Sequence, residues 1–222
     1  MKKVGAGYFN RQYWLDGTKS GYSQYSFFRG DHLHQAKALM LQALYGGRKW
    51  LIAGCARGWT VEQLLNLDID VYGFDISKWA VKNSPDIARD RLAVSNGLDV
   101  SLYNLCSFDV IATFETTEHI HSDDISVWLK NLHAWLRPGG KLFATVCLGS
   151  DDIRGIDDND KSHQTLRTRS WWNDEIENAG FVQDDKTYTK ALGTVVTTKE
   201  REINIVEEMD WNIFAYEKVG VS

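Results

Sequence analysis

Proline is nearly missing: Pro85 and Pro138 are the only two in 222 residues. With so little punctuation there is no Pro-rich linker to mark a second domain, and the length suits one domain with a single sizeable core. Cysteine is also scarce. Cys55, Cys106 and Cys147 lie far apart with no Cys-x-x-Cys pair, which excludes a disulfide framework or a cysteine-rich zinc site and fits a reducing, cytoplasmic setting. Positive charge is in deficit, with 25 Lys and Arg against 30 Asp and Glu and a net charge of −5. Sequence-blind attraction to nucleic acid or to an anionic membrane is therefore not expected. No stretch approaches the ~18 apolar residues of a membrane helix. The start MKKVGAGYFNRQYW is charged but lacks the apolar core of a signal peptide.

Aromatic residues, by contrast, crowd the beginning. Tyr8, Phe9, Tyr13, Trp14, Tyr22, Tyr25, Phe27 and Phe28 are interleaved with Gly, Ser, Asn and Gln, so residues 1–30 read as an aromatic arm ahead of a domain spanning 31–222. Asp31 is a candidate N-cap for a helix ending at the Gly46-Gly47 pair. Beyond it, strand-like runs (KWLIAG, DVYGFD, RLAVSN, FDVIATF, GKLFATVCL) alternate with helical patterns starting near Thr60, Ser77 and Ser122. That order predicts an α/β fold with a parallel sheet covered by helices on both faces. A polar stretch follows strand five. WWNDEIENAG then predicts a helix closed by Gly180, and FVQDDKTYT and WNIFAYEK predict late strands able to pair antiparallel.

The stretch WLIAGCARGWT joins the first buried strand to a helix, and Gly54, Ala56 and Gly58 lack bulk there. Bare backbone at that junction lets a ligand approach closely while the helix N-terminus offers free N–H groups. Asp75, at the end of the second strand, is placed to accept both hydroxyls of a ribose. It equally serves as a helix-capping acid beside Ser77.

SFDVIATFETTEHI, followed by WLKNLHAWLRPGGKLFATV, adds the signal of a fourth strand and of the turn before a fifth. With the glycine turn and Asp75, this order resembles the class I S-adenosylmethionine-dependent methyltransferases, specifically a small bacterial branch of unassigned substrates. The match runs from about Trp50 to Val146. The resemblance implies a doubly wound, mostly parallel, seven-stranded Rossmann-like sheet. It also implies S-adenosylmethionine as cofactor, with Gly54, Cys55, Ala56 and Gly58 lining its methionine and ribose part, Asp75 on the ribose and Ile76 against the adenine. Asn96 and Gly97 stand where the family has an acid and a small residue near the adenine amine. Ile52 stands where an acid two residues before the first glycine is usual, so the methionine ammonium must rely on backbone carbonyls, Glu115 or another carboxylate. A nicotinamide oxidoreductase would share the glycines and Asp75 but would not account for FETTEHI and LRPGG together.

Methyl transfer from a sulfonium needs in-line positioning above all. A hydroxyl acceptor also needs a base, or a metal to acidify it. Glu115 and Glu118 at i, i+3, with His119 one turn from Glu115, can face the cleft together. One reading makes His119 a general base oriented by a glutamate, with Glu118 and His163 beside it. A second takes Glu115, Glu118, His119 and His163 as ligands of a divalent metal, because ExxEH plus a later His resembles metal-using ubiquinone-pathway and small-RNA 3′-end methyltransferases. Manganese, iron or zinc would suit such ligands better than magnesium. A third lets Glu115 touch the cofactor while Glu118 and His119 only cap a helix. The expected acceptor is a small polar molecule, a hydroxyl of a sugar or secondary metabolite. The alternatives are a vicinal diol or RNA end methylated with metal, and a non-catalytic cofactor-binding module. The run Asp151, Asp152, Asp157, Asp158 and Asp160 reads as a solvated face. Arg11, Lys19, Arg29, Arg167 and Arg169 are candidates to meet an anionic group of the acceptor. Among the remaining histidines, His32 and His34 are the ones nearest the arm.

Overall fold

The computed structural model describes residues 3–15, 19–20, 32–149, 160–208 and 212–220. The cap expected at Asp31 and the aromatics Tyr22, Tyr25, Phe27 and Phe28 lie outside them, as do Arg29 and the acids Asp151, Asp152, Asp157 and Asp158. The first half of the chain holds α1 (Arg11–Leu15), α2 (His32–Leu44), β1 (Lys49–Ala53), α3 (Trp59–Leu65), β2 (Asp70–Asp75), α4 (Lys78–Lys82), α5 (Asp86–Arg89) and β3 (Leu92–Val94). The second half continues with β4 (Phe108–Phe114), α6 (Ser122–Trp135), β5 (Leu136–Thr145), α7 (Arg169–Asn178), β6 (Phe181–Gln183) and α8 (Asp185–Leu192). After them come the paired β7 (Val196–Thr197) and β8 (Glu202–Ile203), α9 (Ile205–Glu208) and β9 (Ile213–Lys218).

Seven of these strands form one sheet in the order β3-β2-β1-β4-β5-β9-β6. Strands β1 to β5 are parallel, and β9 runs antiparallel to both β5 and β6. The mostly parallel α/β sheet is the one the sequence predicts. Chain direction across the sheet reverses between β1 and β4, and such a switch point opens a crevice at the carboxyl ends of the strands.

Both faces of the sheet are covered, which explains the near-continuous apolar runs. In β1, Trp50 and Ile52 pack with α2 and α3, through Met40, Leu41, Val61 and Leu64. Leu51 and Ala53 face the opposite layer of α6 and α7. Helix α6 presents Ile125, Trp128, Leu129, Leu132 and Trp135 as one buried stripe at helical spacing. Each such side chain contributes roughly 1.5–3 kcal/mol on burial.

Three local expectations are corrected. FVQDDKTYT is a strand only to Gln183; Asp184 then caps α8, accepting from the Thr187 amide at 3.0 Å and the Thr187 hydroxyl at 2.8 Å. Pro138-Gly139-Gly140 is not a turn ahead of β5 but a bulge within it, where the register against β4 shifts between Phe108 and Val110. Asp160 is not part of a solvated face; it is 3% exposed. Among the described residues no helix is long and apolar enough to cross a membrane.

Candidate active site

The glycine turn leaves β1 through three residues in the left-handed region: Gly54 at φ 69, Ala56 at φ 51 and Gly58 at φ 75. Gly54 is bare for steric reasons as well, since a methyl there would lie 2.1 Å from Cγ2 of Thr116. Cys55 is buried against Gly73, and burial, followed by the nearby Asp75, raises its thiol pKa well above the ordinary value. Asp75 closes the turn from β2. Its two oxygens accept the amides of Ala56 at 2.8 Å and Ser77 at 2.7 Å. Burial pushes its pKa up to about 6, against the pull of those two amides. A carboxylate has roughly four lone-pair positions, so two remain for a ligand's hydroxyls.

Ala56 and Ile76 contact the N-terminal arm, where Phe9, Tyr13 and Trp14 form a buried cluster with Trp79 and Ala80. Ser77 anchors this contact while capping α4. Its hydroxyl donates to the Phe9 carbonyl at 2.5 Å and accepts from the Trp14 indole and from the Ala80 amide, both at 3.0 Å. Asn96 is exposed, with its side-chain oxygen accepting the Leu98 amide at 3.1 Å. Gly97 has φ +73 and no room for a side chain, because Trp128 Nε1 would be 2.7 Å away.

A second group gathers at the end of β4. Glu115 sits at φ 47, outside helical geometry, and its amide donates to the carbonyl and hydroxyl oxygens of Thr145, both at 3.1 Å. The 3₁₀ turn Thr117–His119 then buries Glu118 completely. The left-handed kink and the short turn, rather than one helical face, bring Glu115 and Glu118 together. Burial first and the Glu115 charge second hold the Glu118 pKa well above the ordinary value. Burial also raises Glu115. Oε1 of Glu115 and Oε2 of Glu118 are buried with no hydrogen-bond partner among the described residues.

Residues 160–165 are stitched onto this turn. The Gln164 and Thr165 amides donate to the Glu118 carbonyl at 2.8 and 2.9 Å, and the Gln164 side chain bridges the His119 carbonyl to the Val4 amide. His163 thereby lies with Nε2 3.9 Å from Glu118 Oε1 and with its ring centre 4.6 Å from that of His119. His119 Nδ1 is 2.9 Å from the Ser162 hydroxyl, and Phe9 of the arm meets its ring edge-on at 5.9 Å. The orienting partner of His119 is thus Ser162, not the glutamate expected. Burial, then His163, pushes the His119 pKa down to about 4, so its imidazole is neutral at ordinary pH. Glu118, His119 and His163 offer ligand atoms all within 4.8 Å of one another.

The structure thus brings Glu115, Glu118, His119 and His163 into one cluster and Gly54, Cys55, Ala56, Asp75 and Ile76 into another. The sequence reading missed Asp160, Ser162, Thr145, Gln164 and Lys37; Thr145 lies at the end of the LRPGGKLFATV stretch, where its side chain carried no signal, and the others stand in no motif. Lys37 of α2 lies 5.0 Å over the Phe114 ring, and its charge offsets part of the burial that raises Glu115. His34 bonds Thr60 Oγ1 at 2.9 Å, and burial lowers its pKa well below the usual value. Arg169 is committed to β9, donating to the Ile213 carbonyl at 2.9 Å.

The sheet order, the switch-point crevice and the glycine turn facing an acid on β2 together define a Rossmann-like nucleotide-cofactor enzyme. A family model described as a methyltransferase domain matches residues 27–192. The chain belongs to that family and is a class I S-adenosylmethionine-dependent methyltransferase. Solved structures of similar fold include a geranyl diphosphate C-methyltransferase from Streptomyces coelicolor A3(2), 15% identical, with TM-score 0.62 over 99% of this chain and 92% of that one. A Burkholderia thailandensis 1,6-didemethyltoxoflavin N1-methyltransferase is 18% identical, with TM-score 0.59 over 86% and 80%. The [4+2]-cyclase SpnF, also 18% identical, has TM-score 0.59 over 93% and 85%. No curated protein sequence matches the chain.

Proposed function

We propose that this methyltransferase modifies a hydroxyl of a small polar acceptor, a sugar or a secondary metabolite, with His119 as general base. The observation that carries the reading is a neutral imidazole, held through Nδ1 by Ser162, in one cluster with Glu118 and His163. The proton of the acceptor hydroxyl would pass to the Nε2 lone pair, leaving the oxygen free to accept the methyl group, whose sulfur–carbon bond breaks with S-adenosylhomocysteine as leaving group. When bound, S-adenosylmethionine supplies a methyl group already activated on a sulfonium.

The residues fit that cofactor. Gly54, Cys55, Ala56 and Gly58 give close backbone approach, Asp75 keeps lone pairs for the ribose, and Ile76 offers an apolar side for the adenine, with Asn96 and Gly97 beyond it. Ile52 is a buried β1 residue and leaves the methionine ammonium to Glu115. Burial and the neighbouring carboxylate favour the neutral form of Glu118, and a pair left with one negative charge has the right sign for that role. Phe9, Tyr13 and Trp14, packed beside Ala56 and Ile76, would help to exclude water, which strengthens the electrostatics of a site. The −5 charge supports a small-molecule partner over nucleic acid, and three free cysteines support a cytoplasmic setting.

One observation favours a second reading. Glu118, His119 and His163 make an O,N,N donor set of ligand size, which with Glu115 would hold manganese, iron or zinc and acidify a vicinal diol. A non-catalytic cofactor-binding module is the third reading, supported by Ile52 and Asn96.

The test is release of S-adenosylhomocysteine from S-adenosylmethionine with a panel of hydroxylated sugars and phenolic metabolites. Measurements with a chelator and with added manganese separate the first two readings. Turnover that survives chelation supports the base. Turnover restored only by metal overturns it. Micromolar cofactor binding without transfer to any acceptor, from an intact fold, supports the module.

A further inference from the structure

We infer that Asp160, acting through Ser162, sets the tautomer of His119 so that its Nε2 carries the lone pair turned toward the reaction; the inference rests on the reading of His119 as base. The chain of contacts is short. The Asp160 carboxylate accepts the Ser162 amide at 2.8 Å and the Ser162 hydroxyl at 2.5 Å on Oδ1, and the Tyr13 hydroxyl at 3.0 Å on Oδ2. A carboxylate only accepts. The hydroxyl hydrogen of Ser162 is therefore spent on Asp160, and its oxygen faces His119 Nδ1, 2.9 Å away, as an acceptor. That contact is a hydrogen bond only if Nδ1 carries the hydrogen, which leaves Nε2 bare. The opposite arrangement would set two lone pairs against each other at 2.5 Å between Ser162 and Asp160.

Three neighbouring groups hold His119 in place. Phe9 meets it edge-on, His163 lies across its face, and the Gln164 side chain holds its carbonyl. Asp160 and Ser162 are 3% and 0% exposed, so water does not compete for these bonds. Both are positioning residues. Tyr13 comes from α1, so the arm supplies part of the frame that aims the base.

The test reads the imidazole directly. Full-length protein labelled with ¹⁵N-histidine is examined by long-range ¹H–¹⁵N spectroscopy, with His119 and His163 assigned from His119→Gln and His163→Gln. The wild type is expected to show His119 protonated at Nδ1. Ser162→Ala and Asp160→Ala each remove the constraint and are expected to shift the tautomer ratio toward Nε2–H by about tenfold or more. Asp160→Asn, whose amide oxygen still accepts from Ser162, is expected to keep the wild-type signal, a rescue that a merely structural role would not distinguish. A wild-type ring protonated at Nε2, or alanine variants that are folded and unshifted, overturns the inference. If the ring behaves as expected while His119→Ala leaves methyl transfer intact, the base assignment fails and the tautomer control stands.

Discussion

Replacing Asp75 with Asn tests the electrostatics of the glycine turn most directly. The side chain is 8% exposed, with both oxygens on backbone amides, and burial raises its pKa from 3.8 to about 6. An acid with a raised folded-state pKa holds a proton that the unfolded chain has already lost. Stability must therefore fall as pH rises from about 4 to about 6 and level off above that range. The gap from 3.8 to about 6 converts to about 3 kcal/mol in full, of which about 2 kcal/mol falls between pH 4.5 and 7. The Asn variant cannot ionise and has no such slope. It does turn an NH₂ toward one of the two backbone donors, at a pH-independent cost of about 1–3 kcal/mol. Urea denaturation of both proteins at pH 4.5, 5.5, 6.5 and 7.5 gives a difference curve in which other titrating groups cancel. The variant should be clearly less stable in acid and close to wild type at pH 7.5. Parallel curves, with the difference unchanged across this range, would refute the buried-charge reasoning.

Three further substitutions probe the rest of the site. Gly54→Ala forces a methyl onto Thr116 at a φ of +69 and should cost about 2–4 kcal/mol in thermal or urea unfolding, part of it recovered by Thr116→Ala; an unchanged melting temperature would show that the turn yields freely. Ser77→Ala removes the α4 cap and two bonds to the arm, so about 1–2 kcal/mol is lost and trypsin should cut at Arg11 faster than in wild type. His119→Ala should depress turnover well beyond any change in S-adenosylhomocysteine affinity measured by calorimetry, whereas an equal loss of both would make the residue structural.

The strands were legible because β1 and β4 bury both faces and so read as unbroken apolar runs. Gly54, Asp75 and FETTEHI were legible because their spacing lies within a few residues of a strand end. Asp160 and Ser162 were not: their partners Tyr13 and His119 are far away in the chain, and no local pattern encodes a hydrogen bond across such separation. Asp160 was also hidden by its neighbours, since an acid among acids looks solvated until packing isolates it. Helix α8 was missed for a related reason. The stretch DKTYT has strand-like residues, and only the cap at Asp184 and the burial of Ala191 against the core decide for a helix.

Strand β9 has one further consequence. In the sheet it is the hydrogen-bonded neighbour that links β6 to β5. During synthesis, β5 presents an unpaired edge for the whole time that the ribosome takes to translate and extrude some seventy more residues. Until Lys218 emerges, β6 has nothing in this sheet to zip onto. The nascent chain must therefore keep its fifth strand from pairing with other polypeptides, and closure of the sheet waits until β9 has emerged.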